Sequence, residues 1–271
     1  MPAKIISCVN LKGGVGKTAI ATNLAAFAGR LGKRTLLVDL DPQTNTTFSC
    51  MEVDAWEKHA IEKGTVADLF GLRSQGNAEG KVKEVKDVIY PNAYANVDLV
   101  PSHLDLFTID LDLAAATARE RKLQKALKPI LDSYDLIVCD CPPNLTVPTQ
   151  NALALSTHYL VPISPDYLSG IGIGLLVTRV KQLAEDLDHK ILLAGVVISR
   201  VGRPAISRQQ TVAAVRAQFG AQVLATEIKE RASVADAAAK HKSIFDMGDA
   251  NAAQEFTDMG TEILKRIGVI P

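Results

Sequence analysis

Seven consecutive residues, Lys12-Gly13-Gly14-Val15-Gly16-Lys17-Thr18, combine three glycines, two lysines and a hydroxyl. Glycine accepts the left-handed backbone that turns successive N–H groups toward one point, and such a nest binds phosphate oxygens. An apolar run at 5–10 leads into the turn, and a segment of helical period starting at Lys17 and Thr18 leads out. Strand, glycine-rich turn and helix in that order is the setting a phosphate-binding loop needs, with the positive end of the helix dipole added to the amides. The chemistry implied is that of ATP with Mg2+. Lys17 is expected to grip the β and γ phosphates and Thr18 to ligate the metal, while the backbone of Gly13, Gly14, Val15, Gly16 and Ala19 completes the cradle.

A triphosphate site also needs acids on the metal side. The run Asp135-Leu136-Ile137-Val138-Cys139-Asp140-Cys141-Pro142-Pro143 is an apolar strand ending in a carboxylate. That arrangement lets Asp140 hold magnesium through water. Asp39-Leu40-Asp41-Pro42-Gln43 closes another apolar run. A carboxylate there, beside the crevice where α/β sheets bind ligands, can hold an attacking water and reach a metal-bound one. Read alone, Asp41-Pro42 is a turn initiator; beside a phosphate loop it is a metal-side candidate.

These residues require a scaffold that brings strand ends together. Apolar runs at 5–10, 35–40, 97–101, 136–141, 159–163, 192–199 and 222–228 alternate with segments of helical period at 17–31, 119–133, 147–156, 171–187, 207–219, 234–241 and 250–267. The alternation builds βαβ units. Several runs lack polar alternation, as strands covered on both faces do. The expected fold is α/β, a doubly wound, mostly parallel sheet with helices on both faces, formed by residues 1–271 as a single domain. The stretch at 51–96 carries mixed charge and a polar loop at 74–80, and reads as a mobile region.

Composition narrows the function classes. Lysine plus arginine equals aspartate plus glutamate at 30 each, so a basic surface for nucleic acid must be local. One candidate is 200–242, where eight bases face three acids. The four cysteines, Cys8, Cys50, Cys139 and Cys141, never occur as Cys-x-x-Cys, which gives no support to a zinc site or disulfide framework. No basic leader followed by a long apolar stretch opens the sequence, and no apolar run reaches the roughly 20 residues of a membrane span.

Leu11 stands where the common Gly-x-x-x-x-Gly-Lys-Thr loop has its first glycine, and Lys12 follows it. This form resembles the deviant Walker A motif of the ParA/MinD family. Asp39-Leu40-Asp41-Pro42-Gln43 is similar to that family's switch I, and Asp140-Cys141-Pro142-Pro143 to its switch II. The resemblance implies that Lys12 acts in trans across a homodimer on the partner's nucleotide, that Asp41 carries hydrolysis and that Asp39 supports the loop. It places base recognition after the last two strands, at Ser199-Arg200 and at 228–231, with Lys229 and Arg231 lining the site. The usual Pro-Arg/Asn pattern is absent there, and Ala19 replaces a frequent threonine. It further implies a slow ATPase, cytoplasmic and nucleoid-associated, that binds DNA without sequence preference. Arg203, Arg208, Arg231, Lys240 and Lys242 are the candidate contacts, and a ParB-like or cargo-associated partner would stimulate turnover. Two other classes share the fold: a membrane-cycling regulator of the MinD kind, which would need a free terminal amphipathic helix, and a metabolic P-loop enzyme. Stable membrane association is not expected.

Overall fold

The apolar run that precedes the glycine-rich turn forms the strand Lys4–Cys8 (β1), and it pairs in parallel with Leu136–Asp140 on one side and His158–Ile163 on the other. The computed structural model describes residues 3–72, 83–166, 169–203 and 205–271. In chain order the other strands are Thr35–Asp39 (β2), Tyr90–Tyr94 (β3), Val97–Val100 (β4), Leu136–Asp140 (β5), His158–Ile163 (β6), Leu192–Val201 (β7) and Val223–Lys229 (β8). They form one eight-stranded sheet ordered β3-β4-β2-β5-β1-β6-β7-β8. Every pairing is parallel except β3 with β4.

The helices are Lys17–Arg30 (α1), Asn45–Cys50 (α2), Val53–Glu62 (α3), Val66–Leu69 (α4), Val85–Val88 (α5), Ile109–Asp112 (α6), Lys122–Leu127 (α7), Val147–Leu155 (α8), Ser169–Asp186 (α9), Ile206–Phe219 (α10), Ala232–Ala239 (α11) and Ala250–Arg266 (α12). They cover both faces of the sheet, which explains why the strands read as continuous apolar runs. Alternate residues of one strand serve two different cores. Leu36, Val38, Ile137 and Cys139 pack with Leu123, Leu153 and Val180 on one face. Leu37, Leu136 and Val138 pack with Leu24, Phe256 and Ile263 on the other.

Two expectations need correction. The segment 119–133 is not one helix: α7 is flanked by 3-10 turns at Arg119–Arg121 and Lys128–Ser133. Pro129 has no N–H to give to the preceding turn, so the α-helical ladder stops there. The stretch 51–96 is largely structured: α3, α4, α5 and β3 lie within it, and Ala60, Val66, Phe70 and Val88 are buried. The polar loop expected at 74–80 falls outside the described residues. Strand β3 escaped the sequence reading because Pro91 and the left-handed Asn92 hide its pattern. Both are tolerated because β3 is the antiparallel edge.

Candidate functional site

Parallel strands end at the same side of the sheet, and five of those ends meet around the glycine-rich turn. The turn follows β1, the 39–47 segment follows β2, Asp140 ends β5, Ser199 and Arg200 lie late in β7, and Lys229 ends β8. The turn, the 39–47 segment, Pro143 beyond β5, Ser199, Arg200 and Lys229 join α1 and α11 in lining a cleft of about 780 Å3.

Gly14 and Gly16 have φ of +74° and +82°, the left-handed region that an L side chain resists. Helix α1 starts at once after Gly16, with no side-chain cap and no acid in its first turn. Its first backbone N–H groups therefore have no intrahelical acceptor, which makes a preformed anion site. The outer side of the turn is braced. Ser199 Oγ donates to the Val15 carbonyl at 2.6 Å and to the Ile163 carbonyl at 3.0 Å. Arg200 Nη1 donates to the Gly14 carbonyl at 2.7 Å while its guanidinium pairs with Glu230. Asn10 Oδ1 accepts from Lys12 N–H at 2.9 Å.

The two lysines point in different directions. Lys17 is 6% exposed and its ammonium donates to the Lys12 carbonyl at 3.1 Å, inside the loop. The Lys12 side chain is 55% exposed and reaches out to Asp166 at 2.6 Å. A surface ion pair of this kind is worth at most about 1 kcal/mol, so Lys12 can exchange its partner at little cost.

Three carboxylates gather behind the loop. Asp39 and Asp140 are register partners on β2 and β5 and both are fully buried. Burial first, and then the Asp140 charge, hold the Asp39 carboxyl well above the usual carboxylate range, against hydrogen bonds from Thr47 and the Asp41 N–H. Burial likewise pushes Asp140 up to about 6, with the Asp41 charge adding to it and bonds from Thr46 and Thr18 and the Lys17 charge opposing it. Asp140 Oδ2 accepts from Thr18 Oγ1 at 2.8 Å and Thr46 Oγ1 at 2.7 Å. Its Oδ1 is buried with no hydrogen-bond partner among the described residues. An orphaned buried carboxylate oxygen beside a hydroxyl and a second acid, Asp41, is a hard-oxygen donor set that suits Mg2+ and its bound water. The residues present therefore fit that ion.

The 39–47 segment is held by a dense set of bonds. Asp39 Oδ2 accepts from Thr47 N–H at 2.8 Å and Thr47 Oγ1 at 2.7 Å, and Asp39 Oδ1 from Asp41 N–H at 3.1 Å. Asp41 Oδ1 accepts from Gln43 N–H at 2.9 Å, closing an Asx turn. Thr46 and Thr47 were missed by the sequence reading. The signal available was the three threonines of Thr44-Asn45-Thr46-Thr47, one residue beyond the acid-proline pair.

At the far end of the cleft the walls turn apolar, with Ile228, Val234, Ala235, Ala238 and Phe256. Of these, Ile228 falls within the 228–231 segment expected at the base, and the other four were not picked out from sequence. Of the expected base contacts, Ser199 spends its buried hydroxyl on the phosphate loop, and Lys229 lines the cleft while pairing with Glu255 at 3.7 Å. Arg231, expected in both the nucleotide and DNA sets, lines the cleft and pairs its guanidinium with Glu255 at 2.7 Å. Arg216 is likewise paired, with Glu227 at 2.9 Å. Arg203, Arg208, Lys240 and Lys242 are exposed, with no carboxylate in ion-pairing distance among the described residues. Lys242 also lines the cleft. The four cysteines are buried and free, and burial pushes the Cys50 and Cys139 thiols up to about 12, which leaves them as inert core groups. Among the described residues no helix is long and apolar enough to cross a membrane.

A sequence profile of the AAA domain matches residues 3–193. The chromosome-partitioning ATPase Soj of Thermus thermophilus is 33% identical over 263 residues, which span 97% of this chain and 96% of that protein. In three dimensions apo McdA of Cyanothece superposes with a TM-score of 0.81 at 21% identity, covering 97% of this chain and 99% of that one. Cobyrinic acid a,c-diamide synthase of Mycobacterium smegmatis, with ADP and magnesium bound, gives 0.77 at 23% identity over 96% and 93% of the two chains. At those identities the two structures speak for the fold alone.

Proposed function

This chain belongs to the ParA/MinD family of partition ATPases, and on that premise we propose that it is a positioning ATPase whose ATP-bound form is a closed homodimer that holds DNA without sequence preference. The observation that carries the reading is the divergence of the two loop lysines. Lys17 is buried in its own loop, whereas Lys12, on the same loop, is half exposed and among the described residues is tied only to a surface acid. A lysine so placed can serve a nucleotide held by a second copy.

The roles divide as follows. The backbone of residues 13–19 and the Lys17 ammonium bind the β and γ phosphates, and the braces from Ser199 and Arg200 keep the turn open to them. Thr18 and Asp140 would hold Mg2+, with Asp41 as the further acid on that side; the ion would supply charge neutralisation at the phosphoryl oxygens. Thr46 also donates to Asp140 Oδ2 and would keep that carboxylate oriented if the Thr18 hydroxyl served the ion. Asp41 orients the water that attacks the γ phosphorus as the bond to the ADP oxygen breaks, and Lys12 from the other subunit offsets the charge that builds there. Turnover is slow until a ParB-like or cargo-associated partner stimulates it. Asp39, protonated more readily than an ordinary aspartate, holds the segment through Thr47 and Asp41 N–H.

Against the membrane-cycling alternative, α12 already buries its apolar face, with Phe256, Met259, Ile263 and Leu264 in the core beside α1. The exposed cations Arg203, Arg208, Lys240 and Lys242 are the DNA contacts this reading needs, in the cytoplasm at the nucleoid. The test is light scattering of the Lys12→Ala variant with Mg·ATP under non-hydrolysing conditions. The wild type should double in mass and the variant should stay monomeric while still binding ADP. A variant that dimerises normally with ATP would remove Lys12 from the interface and the reading with it.

A further inference from the structure

The bonds that fix Asp41 come from its own turn, with one exception. Its N–H goes to Asp39, its carboxylate accepts from Gln43 N–H, and its carbonyl accepts from Thr44 N–H at 2.9 Å. The second lone pair of that carbonyl accepts from Ser102 Oγ at 2.7 Å. Ser102 lies 61 residues away in sequence, just past the end of β4, and is 0% exposed.

All the polar groups of Ser102 are engaged. Its N–H donates to Thr47 Oγ1 at 2.9 Å, and that same hydroxyl donates onward to Asp39 Oδ2 at 2.7 Å. Its carbonyl accepts from the indole N–H of Trp56 at 3.0 Å. Trp56 is stacked on His103 at 5.4 Å and meets the ring of Phe48, in α2, edge-on at 5.4 Å. Ser102 therefore joins three pieces that sequence keeps apart: the loop carrying Asp41, the helix α2 that carries Thr46 and Thr47, and the helix α3 that carries Trp56.

We infer that Ser102 is a positioning residue for ATP hydrolysis, holding the Asp41 carbonyl and the Thr47 hydroxyl from β4 so that the Asp41 carboxylate stands where it orients water. The inference rests on the role proposed for Asp41 above. It has a physical basis in how sensitive such a step is to placement. An edge of the loop tied only to itself can shift as a unit, and a displacement on the order of 1 Å at a reacting group costs on the order of a hundredfold in rate. Phosphate binding depends on the loop at 12–18, which Ser102 does not touch, so nucleotide affinity and turnover should separate.

The experiment is steady-state ATPase kinetics of Ser102→Ala, with ADP affinity and thermal unfolding measured on the same preparation. A fall in kcat of about 10- to 100-fold, with ADP affinity within about twofold of wild type, supports the inference. Unchanged kcat overturns it, and so does a loss of turnover matched by an equal loss of ADP affinity. Trp56 is the only tryptophan in the chain, so its emission reports on the joint directly and should change in Ser102→Ala even without nucleotide. Should Ser102→Ala not fold, Trp56→Phe decides: it keeps an aromatic ring and removes the bond to the Ser102 carbonyl together with the second ring of the indole, and a kcat equal to wild type then overturns the inference. Asp41→Ala run in parallel separates the two claims. If Asp41→Ala hydrolyses normally, the role of Asp41 falls; if it is inactive while Ser102→Ala is normal, only the role of Ser102 falls.

Discussion

Replacing Asp140 by Asn should make the nucleotide-free protein more stable and less able to use magnesium, and the size of the first effect follows from the site. The carboxylate is fully buried, lies in register with Asp39 and leaves Oδ1 without a partner among the described residues. Its pKa rises from 3.8 to about 6, so between those values the folded chain binds a proton that the unfolded chain has released. A raised carboxylate is least costly when protonated: stability from this group is complete below pH ~4 and is lost as pH rises through about 6. At pH 7 the charged side chain costs the fold up to about 3 kcal/mol, and at pH 5 roughly half of that. Asp140→Asn removes the charge while keeping an oxygen for Thr18 and Thr46. Urea unfolding in chelator should therefore show the variant more stable by up to about 3 kcal/mol at pH 7, with the advantage roughly halved at pH 5. Mg2+-dependent nucleotide affinity should fall by a factor on the order of 10 to 100. A variant less stable than wild type at pH 7, or an advantage identical at both pH values, would refute charge burial as the cause.

Three further outcomes follow from the same geometry. Thr46→Val deletes one of the two donors on Asp140 Oδ2 and should weaken Mg2+-dependent ATP binding by about tenfold, leaving metal-free ADP binding intact in a fluorescent-nucleotide titration. Gly29→Ala drives a methyl into the Ala95 carbonyl oxygen and the Val97 side chain, and should destabilise the fold by about 1–3 kcal/mol in denaturant unfolding. Arg203→Glu combined with Arg208→Glu should lower affinity for random duplex DNA and flatten its dependence on salt by about one unit of slope for each phosphate no longer neutralised, with ATP binding unchanged.

Much of the scaffold is legible in the sequence because it rests on local signals. The buried strands β1, β2, β5 and β7 announce themselves as apolar runs, and Gly13, Gly14, Gly16, Lys17 and Thr18 form a block whose chemistry does not depend on distant residues. What sequence could not supply was placed by tertiary structure. Thr46 and Thr47 matter through Asp140 and Asp39 on neighbouring strands, and Ser102 through a carbonyl 61 residues distant. The apolar far end of the cleft is built from short side chains such as Ala235 and Ala238 that look like any helix interior. Charge counting does not see pairing for a related reason. Eight bases over 200–242 suggested one basic region, but Arg200, Arg216, Lys229 and Arg231 meet Glu230, Glu227 and Glu255, the last of which lies outside that window. The helix expected over 119–133 broke at Pro129, a signal present in the sequence and outweighed there by the apolar period.

The central claim is that ATP converts this chain into a dimer that holds DNA through its phosphates. Binding to random-sequence duplex DNA, measured with ATP, with ADP and without nucleotide over a salt series, tests it most directly. Tight binding is expected with ATP alone, weakening steeply as salt rises. Binding that is equal in all three states, or absent in all of them, would contradict it.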